Sequence, residues 1–409
     1  MAKRRPLAAA VVLVLLAGAG CGAWLRWRSG DTAEALDAWT YVPAAELSVQ
    51  GAKPNLVLLS SDGERFVAVG RASPPGGGSV IASWTSTDGR SWREGNLGAV
   101  ARTSGGAMVT GLARVKGGFV AVGARLSSGA AQTFLGSAAW TSADGVMWKA
   151  VATPPGDPFT TFSRPTLMSD GVHAYSRMGT STWWRLGPDG AWRPFTSPGT
   201  RDCQQTYREQ ATRPGLFLYG YCGNPPRAAL FALDSAGRVH DRSQALGDRI
   251  SVVETAGARG GTMIAAGYRQ LPPDDPAAQA AGPPPDGPDD QGPPFGAAYA
   301  RSADGGATWS PARTMPGTGP TDHPQVGRFT ALGSAFLMSG LVEREGTAVP
   351  VLWTSRDDGE TWRLHRLPGF AEDGSLGDPA EAGGRVVIPA LVGIDPLVTA
   401  GVFINSTDD

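Results

Sequence analysis

The chain has 409 residues, with glycine at 57 positions, proline at 33 and charged side chains at only 18%. That usage suits many strands joined by many turns and excludes an architecture of long helices. A net charge of −1 provides no global field for a nucleic-acid partner.

The N-terminus has the form of an export signal. Lys3, Arg4 and Arg5 precede an apolar run from Pro6 to Gly20, and Cys21 follows. One reading is a lipoprotein signal cut before Cys21, which then carries the lipid. Gly18 stands where such signals usually place a Leu-like residue. A second reading is an uncleaved anchor of about 20 residues, long enough to span a bilayer. The basic residues then hold its start in the cytoplasm. A third is a cleaved, secreted form. All three put the rest of the chain outside the cytoplasm. Residues 1–28 form this segment, 29–38 a tether, and 39–409 one domain.

From Trp39 onward a unit recurs. Its second strand is a near-continuous apolar run, as in Phe66-Val67-Ala68-Val69-Gly70 and Phe119-Val120-Ala121-Val122-Gly123. Further copies end at Gly220, Gly267 and Gly340. Such runs suit a strand buried on both faces. A third strand follows, such as Ala82-Ser83-Trp84-Thr85, then a turn, then a fourth strand opening on Trp.

The turn is the most regular part. Ser302-Ala303-Asp304-Gly305-Gly306-Ala307-Thr308-Trp309 and Ser355-Arg356-Asp357-Asp358-Gly359-Glu360-Thr361-Trp362 share the pattern S-x-D-x-G-x-T-W. Shorter relatives run from Ser86 through Asp88 to Trp92 and from Ser142 through Asp144 to Trp148. Decayed ones lie at 187–192 and 233–239. The Asp accepts hydrogen bonds from backbone N–H groups of its own turn. The Gly takes a positive φ that a side chain resists. These box residues are therefore read as structural.

The boxes resemble the Asp-box repeats of the sialidase or neuraminidase superfamily, which are β-propellers. Four-stranded units of this size match propeller blades. Fourth strands at Trp39, Trp92, Trp148, Trp192, Trp309 and Trp362, with one more in the long interval 192–309, predict seven blades. The last blade runs out of chain after three strands, so the strand at Trp39 is expected to close the ring and protect its edge. The Pro-rich stretch 271–294 is expected to be a disordered loop inside the fifth blade.

Chain direction puts the boxes and the first-to-second-strand turns on one rim. The opposite face carries the remaining loops and is the expected binding face. Candidates for the channel mouth there are Arg164, Tyr207, Arg208, Glu209, Glu254, His323 and Arg328. Cys203 and Cys222 fall on the same face, and outside the cytoplasm a disulfide between them is expected.

The resemblance also implies an enzyme chemistry: three Arg on a substrate carboxylate, a Tyr nucleophile paired with Glu, and an Asp acid/base. The chain departs from it. No Phe-Arg-Ile-Pro-like motif precedes Ser86, and nothing marks Tyr207 as a nucleophile. The four His are scattered without metal-ligand spacing. The sequence therefore points to an anchored, monomeric, non-catalytic binding or assembly module, with no cofactor or metal, for a protein or glycan ligand. A sialidase-like glycoside hydrolase is the alternative.

Overall fold

The computed structural model describes residues 38–405, apart from 52, 74–79, 103–106, 128–133, 154–165, 170, 179–181, 188, 196–207, 213–214, 223–226, 234–237, 272–294, 317–322, 334, 345–346, 368–374 and 393–398. The expected anchor and most of the tether lie outside the described residues, as does nearly all of the Pro-rich stretch.

The chain folds into seven antiparallel sheets in sequence order, the blades of a propeller. Their first strands line the centre: Lys53–Ser61, Ala107–Val115, Thr166–Ser169, Arg208–Thr212, Val252–Arg259, His323–Ala331, and the pair Ser375–Leu376 and Ala380–Ala382. The second strands are Phe66–Ser73, Gly118–Leu126, Ala174–Met178, Gly215–Cys222, Thr262–Gln270, Phe336–Arg344 and Arg385–Val392. Blade 1 adds a short outer strand, Ser48–Gln50, parallel to Ser91–Glu94.

The ring closes as the sequence predicts. Trp39–Pro43 pairs antiparallel with Thr399–Asn405, so the N-terminal strand completes blade 7. The strands flanking the Pro-rich stretch, Thr262–Gln270 and Phe295–Ser302, pair directly as second and third strands of blade 5.

The core lies between blades. One cluster joins Trp84 and Phe66 of blade 1 to Val387 and Ile404 of blade 7. Others join blades 1 and 2, 2 and 3, 4 and 5, 5 and 6, and 6 and 7. Each second strand is pressed from both sides, so its apolar residues do not alternate with polar ones. Phe66, Val67, Ala68 and Val69 are all fully buried.

The boxes hold themselves together. In the first, Ser86 Oγ donates to Asp88 (3.0 Å) and accepts from the Gly89 N–H (2.8 Å). Asp88 also accepts from the N–H groups of Arg90 and Ser91. The Trp92 indole donates to the Gly89 carbonyl at 2.9 Å. The boxes at Asp304 and Asp357 gain a threonine hydroxyl, from Thr308 and Thr361, but their buried Trp309 and Trp362 indole N–H groups have no hydrogen-bond partner among the described residues. Three of the boxes also serve a neighbour. A Cβ on Gly89 would overlap Val387 of blade 7, one on Gly145 Val67 of blade 1, and one on Gly359 Ile264 of blade 5.

Blade 5 departs from the expected layout. Its fourth strand is only Arg313–Thr314 and does not begin at Trp309. Ser310 N–H bonds the Arg301 carbonyl at 2.7 Å, and pairing with the third strand resumes only at Arg313, opposite Tyr299.

Candidate functional site

A cavity of about 1170 Å³ runs along the propeller axis, walled mainly by first strands. These strands are not regular. In blade 1 the register against the second strand slips between Leu56 and Leu58, and in blade 2 between Val109 and Gly111. The slips in blades 5 and 6 fall between Val253 and Thr255 and between Val326 and Phe329. In blade 7 the chain takes four steps from Leu376 to Ala380 while its partner takes three, from Ala390 to Val387. Each is a β-bulge of one extra residue, a device that re-aims a side chain.

The bulges lie at one level, because each sits opposite the same point of its second strand. In blades 1, 2, 5 and 6 that point is the glycine ending the apolar run: Gly70, Gly123, Gly267 and Gly340. A Cβ on Gly123 would overlap the Met108 carbonyl, one on Gly267 the Val252 carbonyl, and one on Gly340 the Gln325 carbonyl. Glycine is there so that the bulged backbone can move in.

In three consecutive blades the bulge carries a charged residue that lines the cavity: Glu254, Arg328 and Asp378. Arg328 Nη1 donates to both carboxylate oxygens of Asp378 at 2.5 Å. The Asp378 charge raises the Arg328 pKa above the ordinary guanidinium value, against the effect of desolvation. Tyr219, from the second strand of blade 4, lines the same wall. The Ser339 hydroxyl accepts from the Arg328 N–H at 3.3 Å and lies 3.5 Å from its carbonyl. One buried hydroxyl thus serves both backbone groups that the bulge takes out of the ladder.

A second polar tier closes the box end of the cavity. Glu381 Oε2 accepts from the Gly333 N–H at 2.6 Å, and the Ser61 hydroxyl donates to the Glu381 carbonyl at 2.5 Å. Burial pushes the Glu381 carboxyl above the ordinary range, while the Gly333 N–H and Arg259 pull it back. Arg259 pairs with Asp358 and lies 4.6 Å over the Phe336 ring. This tier ties blades 5, 6, 7 and 1 together.

Of the residues singled out from sequence, Glu254 and Arg328 come together in the cavity wall. Arg208 and Glu209 open the first strand of blade 4, and His323 opens that of blade 6. Arg164, Tyr207 and Cys203 lie outside the described residues; Cys222 ends the second strand of blade 4. Sequence reading missed Tyr219, Asp378, Arg259 and Glu381. The signal available for the middle tier was the recurrent glycine in the second strand, which marks a bulge in the strand beside it.

No family model matches the chain, and no curated protein matches it. Among solved structures it is similar to a protein described as YCF48 bound to D1 peptide, at 11% identity and a TM-score of 0.49, over 91% of this chain and 97% of that one. An ulvan lyase from a new polysaccharide lyase family matches at 11% identity and TM-score 0.46, over 89% and 95%. The phage phi92 endosialidase matches at 10% identity and TM-score 0.42, over 90% and 69%.

Proposed function

We propose that the chain is a binding or assembly module, held outside the cytoplasm by its N-terminal anchor or a lipid on Cys21. Its ligand occupies the central channel and leaves unchanged. One observation carries this reading. Two of the channel arginines, Arg328 and Arg259, are already clamped by Asp378 and Asp358, and they stand in different tiers. A guanidinium whose charge one carboxylate already neutralises attracts a second less strongly, so these are poor receptors for a substrate carboxylate. A disulfide between Cys203 and Cys222 belongs to the same reading and would stabilise the fourth blade by about 3 kcal/mol.

A second reading, glycoside hydrolysis of the sialidase type, draws on the shared wall of Tyr219, Glu254 and Arg328. Turnover separates the two. The full chain, purified in detergent, is assayed on a fluorogenic sialoside and a panel of other glycosides. No turnover by folded protein is expected. Turnover that Tyr219→Phe or Arg328→Ala abolishes would overturn the non-catalytic reading.

A further inference from the structure

The middle tier has a chemistry of its own. Among the described residues, the side-chain hydrogen bonds of Arg328 run from Nη1 alone, to Asp378. The guanidinium keeps donors at Nε and Nη2, and the carboxylate keeps lone pairs beyond those used. Both groups are reachable, with side chains 66% and 46% exposed.

We infer that this tier is a subsite for an uncharged, polyhydroxylated ligand, an oligosaccharide with vicinal hydroxyls, which the Arg328–Asp378 pair binds as one unit. The inference rests on the binding reading above and names its ligand class.

Charge decides between the classes. An anionic ligand adds a second anion beside a guanidinium whose charge Asp378 already neutralises. A cationic ligand competes with Arg328 for the carboxylate, in a channel that Arg114 and Arg259 also line. A hydroxyl competes with neither. It accepts from Arg328 and donates to Asp378, and two neighbouring hydroxyls span the pair without separating it. Hydrogen bonds to charged groups are also the stronger kind. The cavity, at about 1170 Å³, exceeds the roughly 300–1,000 Å³ of ordinary small-molecule pockets. It suits several linked rings better than one.

The test is isothermal titration of the full chain in detergent with defined oligosaccharides. Cellotetraose and maltotetraose are the neutral probes, tetragalacturonate and sialyllactose the anionic ones, and tetraglucosamine the cationic one. Saturable binding of a neutral probe is expected. Arg328→Ala and Asp378→Asn should each weaken it roughly 10- to 100-fold, with unchanged thermal melts. If Arg328→Ala melts early, Arg328→Lys replaces it, keeping the charge and losing the fork. Binding of no neutral probe would overturn the inference. So would tighter binding of an anionic probe that improves further in Asp378→Asn, or neutral binding that neither variant weakens. Hydrolysis of a bound neutral probe is a different failure: it removes the non-catalytic reading and leaves the ligand class standing.

Discussion

The box turns and the channel bulges are both places where the chain leaves the regular ladder, and they treat their polar groups in opposite ways. A box satisfies its own turn. Its Ser, Asp and backbone N–H groups answer one another, and its glycine fills the one spot where the neighbouring blade permits no side chain. The bulge of blade 6 satisfies its backbone through Ser339 and sets its charged side chain in the wall of a cavity, against Asp378 of the next blade. The box repeats visibly in the sequence because its function is local and the same in every blade. The bulge repeats only as a glycine on the facing strand, and its side chain differs from blade to blade. Val57, Thr110, Glu254 and Arg328 stand at equivalent places. The recurring motif therefore reports the fold, and the varying residue beside it is where the proposed ligand would be discriminated.

The sharpest way to break the box half of this comparison is to put a methyl group on its glycine. Gly359 has φ +84°, and a Cβ there would overlap the Ile264 methyl of the preceding blade. Gly359→Ala should cost about 2–4 kcal/mol, from the left-handed backbone and the overpacking together. Gly305 has φ +69° with nothing within 4 Å of a built Cβ. Gly305→Ala should cost only the backbone part, about 1–2 kcal/mol. Denaturant melts of both variants check this. Equal losses would mean that the box glycine does not act across the blade interface.

Acid sharpens the comparison further, because the two regions hold carboxyls shifted in opposite senses. Asp304 is lowered to about 2, first by the Thr308 hydroxyl and N–H and then by Ser302. A lowered folded-state pKa contributes stability above the unfolded value, and that contribution is lost as pH falls toward the folded one. Asp304→Asn should therefore destabilise at pH 7, with its effect fading between about pH 4 and 2. Glu381 is shifted the other way, by burial. Its ionised form is disfavoured in the folded state, so its contribution is present in acid and lost as pH rises through its folded pKa. Glu381→Gln keeps an acceptor for the Gly333 N–H and should raise the melting temperature at pH 7 but not at pH 4. Thermal melts of the two variants across pH 2–8 should move in opposite directions at the neutral end. Parallel movement would mean that the rim carboxyl behaves like a box carboxyl.

Much of the architecture was legible in the sequence because it rests on short-range chemistry. The Trp spacing counted the blades, and the orphan strand at Trp39 announced the closure seen against Thr399–Asn405. The fourth strand of blade 5 was misplaced, because its pairing begins only at Arg313 and not at Trp309. The site was only half legible. Glu254 and Arg328 were found because chain direction puts first strands at the axis. Asp378 was missed because Gly377-Asp378-Pro379 reads as a loop, and only the register of blade 7 shows it to be a bulge. Tyr219 was missed because it belongs to a second strand, where an aromatic residue is expected to be core, and it is indeed 5% exposed. Arg259 and Glu381 meet through the Leu332–Gly333 turn of blade 6, a contact between three blades that no spacing within one blade encodes.

The smallest expected effect is the one that bears most on function. Arg328 and Asp378 form a close pair, yet their side chains are 66% and 46% exposed, so water screens the charges and competes for them. A double-mutant cycle with Arg328→Ala and Asp378→Ala should return a coupling to stability of no more than about 1 kcal/mol, as exposed ion pairs generally do. The fold does not depend on the pair, because the Arg328 backbone is held by Ser339 whatever its side chain does. A coupling well above that value would recast the pair as a strut between blades 6 and 7. It would then join the boxes as architecture, and the contrast between self-contained turn and ligand-facing bulge would fail at the position where it is drawn most strongly.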